Sequence, residues 1–330
     1  MVAVTHFSDP GCPWAYSASP AHAVLRWRYR DQLDWRLVVI GLTEQADQYV
    51  RRGYTPAKSA RGYLRFRKRG MPFATQPRER VSGTGLACRA IVATRLHAPE
   101  YEHAVFRALQ FGWFTTPLVL DEPGALTELL GKVERSGDQA SGRGSGFDAA
   151  AIVARLGAAA VEAAYQADRA EARTAEGKPT HAQGKAARSD GPVRYTAPSL
   201  IFESEGRRLE AGGFQPVEAY DVLLANLDPT LERTPPPEDP LEALQALPYP
   251  LVTYEVAAVM AGNNEAPDPE AAEAALIDRV ADGSVIRRAL GDDALWFPAE
   301  RELNRSGRGR TESDRVPAAL RTTRQRAAPR

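Results

Sequence analysis

Ser8-Asp9-Pro10-Gly11-Cys12-Pro13-Trp14-Ala15 is the stretch on which the reading of this chain turns. A short alternating apolar run (Val2, Val4, Phe7) precedes it, and a helical pattern from Pro13 to Arg30 follows. The stretch therefore joins a strand to a helix and sets a lone thiol at the junction. The first turn of a helix offers backbone N–H groups without intrahelical acceptors, at the positive end of the helix dipole. Both favour the thiolate, the nucleophilic form of cysteine, which makes Cys12 the candidate catalytic residue. The competing reading is a small buried hydrophobe, the common state of free cysteine. Asp9 suits a cap of the turn before the helix better than a proton-transfer role.

Working outward, Leu33 to Ile40 is a strand signal closed by Gly41, so the chain opens as β-α-β. From Thr55 to Pro192 the pattern is mainly helical, with stretches at Leu86–Leu96, Glu100–Phe111, Gly124–Val133 and Asp148–Thr174. Gly and Ser cluster from Ser136 to Gly146, which reads as a loop, and Gly177 to Gly191 is a polar connection. Sheet returns at Tyr195–Phe202 and Arg207–Glu210, and a helix follows from Gln215 to Asn226, giving β-β-α. Thr234-Pro235-Pro236-Pro237-Glu238-Asp239-Pro240 reads as a stiff linker. Beyond it, Thr253 is placed to cap a helix Tyr254–Met260. A second helix, Glu270–Ala281, and a hairpin Gly283–Phe297 ending in Trp296 follow, the order of a winged helix. Nine Arg and three acids between Arg301 and Arg330, with almost no large apolar residue, read as a disordered basic tail.

The expected division is therefore a first sheet part over 1–54, helices over 55–192, a second sheet part over 193–232, a linker over 233–240, a winged-helix-like module over 241–299, and a tail over 300–330. The fold class is α/β, with a small four-stranded sheet interrupted by helices. The 330 residues suffice for two or three ordinary cores. With 42 basic and 42 acidic residues, no global field steers the chain toward nucleic acid or acidic membranes. Two cysteines, Cys12 and Cys88, cannot form a disulfide framework, and no apolar run reaches the ~18 residues of a membrane helix. A start without a basic, then apolar, leader pattern points to the reducing cytoplasm. No phosphate loop, dinucleotide fingerprint or metal-ligand spacing competes with Cys12, and the five histidines are scattered.

With Asp9, Pro10, Cys12, Pro13 and Trp14 at the start and Ala197-Pro198 before a later strand, the chain resembles the DsbA family of thioredoxin-like proteins over residues 1–230. The Cys-Pro-Trp run is similar to that of cytoplasmic FrnE-like dithiol-disulfide isomerases and mycothiol-linked reductases. The fold expected is also similar to that of kappa-class glutathione transferases and hydroxychromene-carboxylate isomerases. The resemblance implies a helical domain inserted between the β-α-β and β-β-α halves. It implies a cis Pro198 beside Cys12, with the Ala197 backbone pairing with a substrate as an added strand would. Pro13 and Trp14 join that substrate-binding set. The family's dithiol motif would place its second cysteine at position 15, and this chain has Ala15 there. A single sulfur forms mixed disulfides that another thiol must resolve, so the implied activity is thiol-disulfide exchange through Cys12, with a mycothiol- or glutathione-type thiol as co-substrate and no tightly bound cofactor.

Other residues enter as secondary candidates. Cys88 sits among Leu86, Ala87, Ala90 and Ile91, the neighbourhood of a buried structural cysteine rather than a resolving thiol. His6 is placed to support the Cys12 thiolate if it faces the helix start, although a lone strand histidine is more often merely packed or solvated. Trp113 and Phe114, in an aromatic run with Phe106 and Phe111, are core by default but candidates for a groove facing Cys12. The basic run Arg61, Arg65, Arg67, Lys68 and Arg69 suits either a solvated helix face or an acidic thiol substrate. Two alternative functions stand beside thiol exchange. One is a kappa-type isomerase or transferase that activates a bound thiol cofactor. The other is a redox-sensing DNA-binding regulator, against which the acids of Pro269–Arg279 argue because they repel phosphate. Expected partners are small-molecule or protein thiols and disulfides, with no membrane; nothing in the sequence specifies an oligomeric state.

Overall fold

The computed structural model describes residues 1–141 and 147–299. The last residues of the Gly/Ser-rich stretch, 142–146, and the basic tail, 300–330, lie outside them. β1 (Val2–Ser8) leads through the Cys12 turn into α1 (Pro13–Ser17) and α2 (Ser19–Tyr29), and β2 (Leu33–Val39) follows. The helical pattern from Pro13 to Arg30 is thus two helices. Pro20 has no N–H to extend the first one, and Ala18 N–H is shared between the Trp14 and Ala15 carbonyls at 3.1 and 3.2 Å.

After β2 come α3 (Ala46–Arg51), α4 (Pro56–Arg67), α5 (Gly85–His97), α6 (Glu102–Thr115), α7 (Pro123–Ser141), α8 (Ala149–Ala154), α9 (Ala159–Ala172) and α10 (Pro179–Ala182). The helix expected over Asp148–Thr174 breaks around Gly157, with tight turns carrying the chain from α8 to α9. The Gly/Ser-rich stretch is helical up to Ser141, further than its composition suggested.

The strand expected from Tyr195 to Phe202 is also divided. β3 (Ala186–Ala187) and β4 (Arg194–Tyr195) form a ladder of their own, and β5 (Ser199–Ser204) starts after Pro198, which cannot donate to a ladder. β6 (Arg207–Gly212) and α11 (Val217–Leu227) complete this half.

The main sheet has the order β2-β1-β5-β6. β1 runs parallel to β2, with Phe7 opposite Val38, and antiparallel to β5, with His6 opposite Leu200; β6 is antiparallel to β5. This is the strand order and polarity of a thioredoxin-like sheet. Helices cover both faces, which explains why β1 is buried at every residue but Ala3. Val2, Val4, Leu200 and Phe202 pack under α2 and α11 with Leu25, Tyr29, Tyr220 and Leu224. Phe7, Val38 and Ile201 point the other way and pack with Cys12, Ala15, Tyr195 and Ala197.

The C-terminal region holds α12 (Pro240–Ala246), β7 (Leu251–Val252), α13 (Thr253–Met260), α14 (Pro269–Ala281), β8 (Val285–Leu290) and β9 (Asp293–Pro298), with sheet order β7-β9-β8. Its core around Trp296, Leu251, Val256 and Leu276 continues into Ala23, Val24 and Trp27 of α2. The proline-rich segment is laid along α2: Trp27 Nε1 donates to the Pro235 carbonyl at 2.8 Å, and Thr234 N–H to the Arg28 carbonyl at 2.8 Å. Thr253 is the first residue of α13 rather than its cap. Its hydroxyl donates to Asp293 at 2.5 Å and accepts from Trp296 Nε1 at 2.9 Å.

Candidate functional site

Cys12 stands immediately before α1, in extended backbone, with Pro13 as the first helical residue. The turn that delivers it is organised by Asp9. That carboxylate accepts Gly11 N–H at 2.9 Å and Leu42 N–H at 2.7 Å, and the hydroxyl of Thr84 at 3.0 Å. Asp9 is therefore a cap and a crosslink, and it is fully buried. Gly11 is required by space: a Cβ there would stand 2.5 Å from Thr84 Cγ2 and 3.0 Å from the Trp113 ring.

The Cys12 thiol donates to the Ala197 carbonyl at 3.1 Å, and the Ala197–Pro198 peptide is cis. Two residues separated by 185 positions are thus in direct contact. The thiol is only 6% exposed. Burial is the largest influence on it and pushes its pKa up to about 11; the N–H groups of Ala15 and Trp14 pull down, Asp9 pushes up, and Arg194 pulls down. The expectation of a standing thiolate at the helix start is therefore overturned: the helix N–H groups act as anticipated, but desolvation outweighs them. At pH 7 the thiol is protonated.

The thiol lies on the wall of a cavity of about 420 Å³. Pro13, Trp14 and Ala197 share that wall, Trp113 and Phe114 close another side, and α4 contributes Ser59, Tyr63, Arg65 and Phe66. Trp14, at 38% exposure, stands edge-on to Phe66 with ring centroids 5.0 Å apart, and the Arg69 guanidinium lies 4.6 Å from the ring centres of both Trp14 and Phe214. Among the described residues six cations line the cavity (Arg52, Lys58, Arg65, Arg78, Arg80 and Arg194), and no carboxylate does. Arg80 is tied to Asp121 and Glu122 on its outer side, and Arg78 lies over Trp113 at 5.6 Å.

Of the basic run, Arg65 alone reaches the cavity; Arg61 and Lys68 are exposed, and Arg67 bonds the Phe73 carbonyl and Asp292. Cys88 is buried; its thiol donates to Asp9 at 3.5 Å, and burial with that carboxylate pushes it well up. His6 is not in the thiol's cavity. Alternation along β1 puts it on the face opposite Phe7, against His22 and Phe106 at 4.7 and 5.9 Å, so the suggestion that it supports the thiolate is withdrawn. Sequence reasoning missed Arg52, Lys58, Arg78, Arg80 and Arg194, which come from the end of α3, α4, the segment between α4 and α5, and strand β4, and share no spacing. Among the described residues no group of three or more His, Cys, Asp or Glu is placed to hold a metal ion, and no helix is long and apolar enough to cross a membrane.

No protein-family model and no curated protein matches the sequence. Solved structures do show a likeness. One is the cytosolic disulfide reductase DsbM of Pseudomonas aeruginosa, solved also with GSH, at 21% identity over 68% of this chain and 98% of that one, with TM-score 0.46. Another is a candidate protein disulfide isomerase of Nitrosomonas europaea, at 18% identity over 68% and 96%, with TM-score 0.49. A third is the oxidoreductase DsbA of Xylella fastidiosa, at 16% identity over 68% and 85%, with TM-score 0.35.

Proposed function

We propose that the chain is a thiol-disulfide oxidoreductase of DsbA type that works through Cys12 alone. The observation that carries this reading is the single thiol beside cis-Pro198, on the wall of a cavity with six cations and no carboxylate. Ala15 is 1% exposed and has no sulfur, and the other thiol, Cys88, is held by Asp9, so neither position supplies an internal resolving partner. Helices α4–α10 act as the inserted domain of that fold, and α12–β9 as a winged-helix-type supporting module.

The chemistry balances without a second protein sulfur. The substrate is a mixed disulfide X–S–S–Z, where Z is a low-molecular-weight thiol. The Cys12 thiolate attacks the sulfur of Z, and X leaves as a thiolate that takes up a proton. A second Z thiolate attacks Cys12–S–S–Z, forming Z–S–S–Z and returning Cys12. X leaves with the electron pair of the broken S–S bond, and the pair brought by the second Z thiolate makes the new one, so one disulfide is consumed, one is formed, and only the second Z thiol is oxidised. A cavity lined by cations and by no carboxylate, with only Arg80 and Arg194 of the six in ion pairs among the described residues, selects a Z that bears carboxylates, which favours a glutathione-type thiol over an uncharged sugar thiol. Trp14 and Trp113 supply flat contacts for it, and the Ala197 backbone pairs with its peptide. Pairing of that kind also competes for the Ala197 carbonyl, whose hydrogen bond from Cys12 favours the neutral thiol.

Replacing Cys12 by Ser is expected to abolish glutathione-dependent reduction of a mixed disulfide; retained turnover excludes the mechanism. The high thiol pKa favours a second reading, in which neutral Cys12 donates a hydrogen bond to a bound cofactor thiolate, as in a kappa-type transferase or isomerase. Glutathione binding without any adduct at Cys12, together with turnover of an electrophile, would select it.

A further inference from the structure

A second cavity, of about 230 Å³, lies on the far face of β1 from the thiol and plays no part in the chemistry above. Its walls come from β1, α2, β2 and α6, with Trp35, Leu37 and Phe106 as apolar surfaces and His6, Arg26 and His103 as polar ones. The Arg26 guanidinium is centred 4.2 Å from the Trp35 ring centre. Stacking of that kind covers the flat face of the guanidinium and leaves its N–H edges free. Among the described residues no carboxylate lies within ion-pair distance of Arg26, although the chain pairs most of its other half-buried arginines with acids.

The imidazole beside it is equally unsatisfied. His6 is 8% exposed, and its Nε2 is buried with no hydrogen-bond partner; Nε2 of His22, whose ring lies 4.7 Å away, is in the same state. A buried polar atom without a partner is costly, and an unpaired cation at the same cavity adds to that. We propose that this cavity is a binding site for a small organic monocarboxylate, its carboxylate bridging Arg26 and the His6 and His103 imidazoles and its apolar body resting on Trp35 and Phe106.

The charge balance sets the class. Arg36 at the rim is already neutralised by Glu171, and Glu100 and Glu102 also line the cavity, so a dianion is disfavoured while one carboxylate is matched by Arg26. Burial and Arg26 both push His6 and His103 down, which keeps them neutral, each with one N–H to donate. His103 also packs on Tyr249 at 4.7 Å, so the ligand sits one ring away from the C-terminal region.

The test uses the full-length protein with benzoate, benzamide and inorganic phosphate as probes. Histidine ring resonances and thermal shift are the readouts. Benzoate is expected to bind saturably and move the His6 and His103 signals, and benzamide and phosphate to do neither. In Arg26→Gln, benzoate affinity is expected to fall about tenfold or more, the value of one charge-assisted pair, while disulfide exchange at Cys12 is unchanged. Equal binding of benzamide reduces the site to an apolar slot, binding of phosphate alone makes it a bare anion site, and unaltered benzoate affinity in Arg26→Gln removes the assigned contact. Each of these overturns the proposal. If Arg26→Gln does not fold, the comparison of benzoate with benzamide on the native protein decides it.

Discussion

At Cys12 three local forces compete, and their order decides how the site behaves. The N–H groups of Ala15 and Trp14 favour the thiolate, Asp9 opposes it, and burial outweighs both, leaving a pKa of about 11. A thiol with a raised pKa is protonated through the neutral range and reacts faster as alkali is added. The rate of iodoacetamide alkylation at Cys12 is therefore expected to climb about tenfold per pH unit through pH 7 to 9, without a plateau. A plateau reached below pH 8 would show an ionised thiol and contradict the burial argument. Gly11 offers a second test at this scale. Gly11→Ala drives a methyl into Thr84, which bonds Asp9, and into the Trp113 ring, which lines the cavity. It is expected to cost about 1–3 kcal/mol, the usual range for overpacking, and to slow Cys12 exchange; unchanged melting and unchanged rate would mean that Trp113 swings freely aside.

Among elements, the tie between α6 and α13 is the contact most exposed to a single change. Arg107 and Glu255 form two hydrogen bonds of 2.8 Å, Glu255 is fully buried, and a further bond runs from Arg107 to the Pro250 carbonyl at 3.3 Å. Removing one member of such a pair strands a buried charge, so Arg107→Ala is expected to lower unfolding free energy by about 3–5 kcal/mol. Urea titration measures it, and a loss below 1 kcal/mol would mean that water reaches Glu255. Elements are also where the reach of the sequence is clearest. β1, β2 and the helix after Cys12 were legible because each carries its own period and its own Gly or Pro punctuation. The breaks at Ala18 and Gly157 were not, since an apolar stripe can resume in register after a one-residue kink or a four-residue turn. The contact of Cys12 with Ala197 followed from a family resemblance and from no local pattern. Apart from Arg65, which stands in the basic run of α4, the cavity's arginines were invisible for a related reason: each is an ordinary polar residue until the fold brings its element to the thiol. His6 is a packed strand histidine, the commoner of the two readings its position allowed, because strand alternation turns it to the face opposite Cys12.

For the molecule as a whole, the two faces of one small sheet carry different electrostatic burdens. One face holds the thiol cavity, and the other holds the cluster of His6, His22 and His103. Burial is the main reason His22 titrates at about 3, and His6 and His103 are likewise pushed well down. A histidine whose folded pKa is depressed binds its proton more readily in the unfolded chain. Its stabilising contribution is present above pH 6.5 and is lost as pH falls from there toward 3. Unfolding free energy is expected to decline over that window, and more shallowly in His22→Asn, as chemical denaturation at stepped pH would show; identical slopes would remove the histidines from the account. The thiol face carries the functional claim, that Cys12 makes mixed disulfides and has no internal partner. The most direct measurement is intact-protein and peptide mass spectrometry after treating the reduced chain with one equivalent of glutathione disulfide. The account predicts one glutathione on Cys12, stable until reduced glutathione is added, and none on Cys12→Ser. An adduct that disappears without added thiol as Cys12 and Cys88 become disulfide-bonded would contradict it.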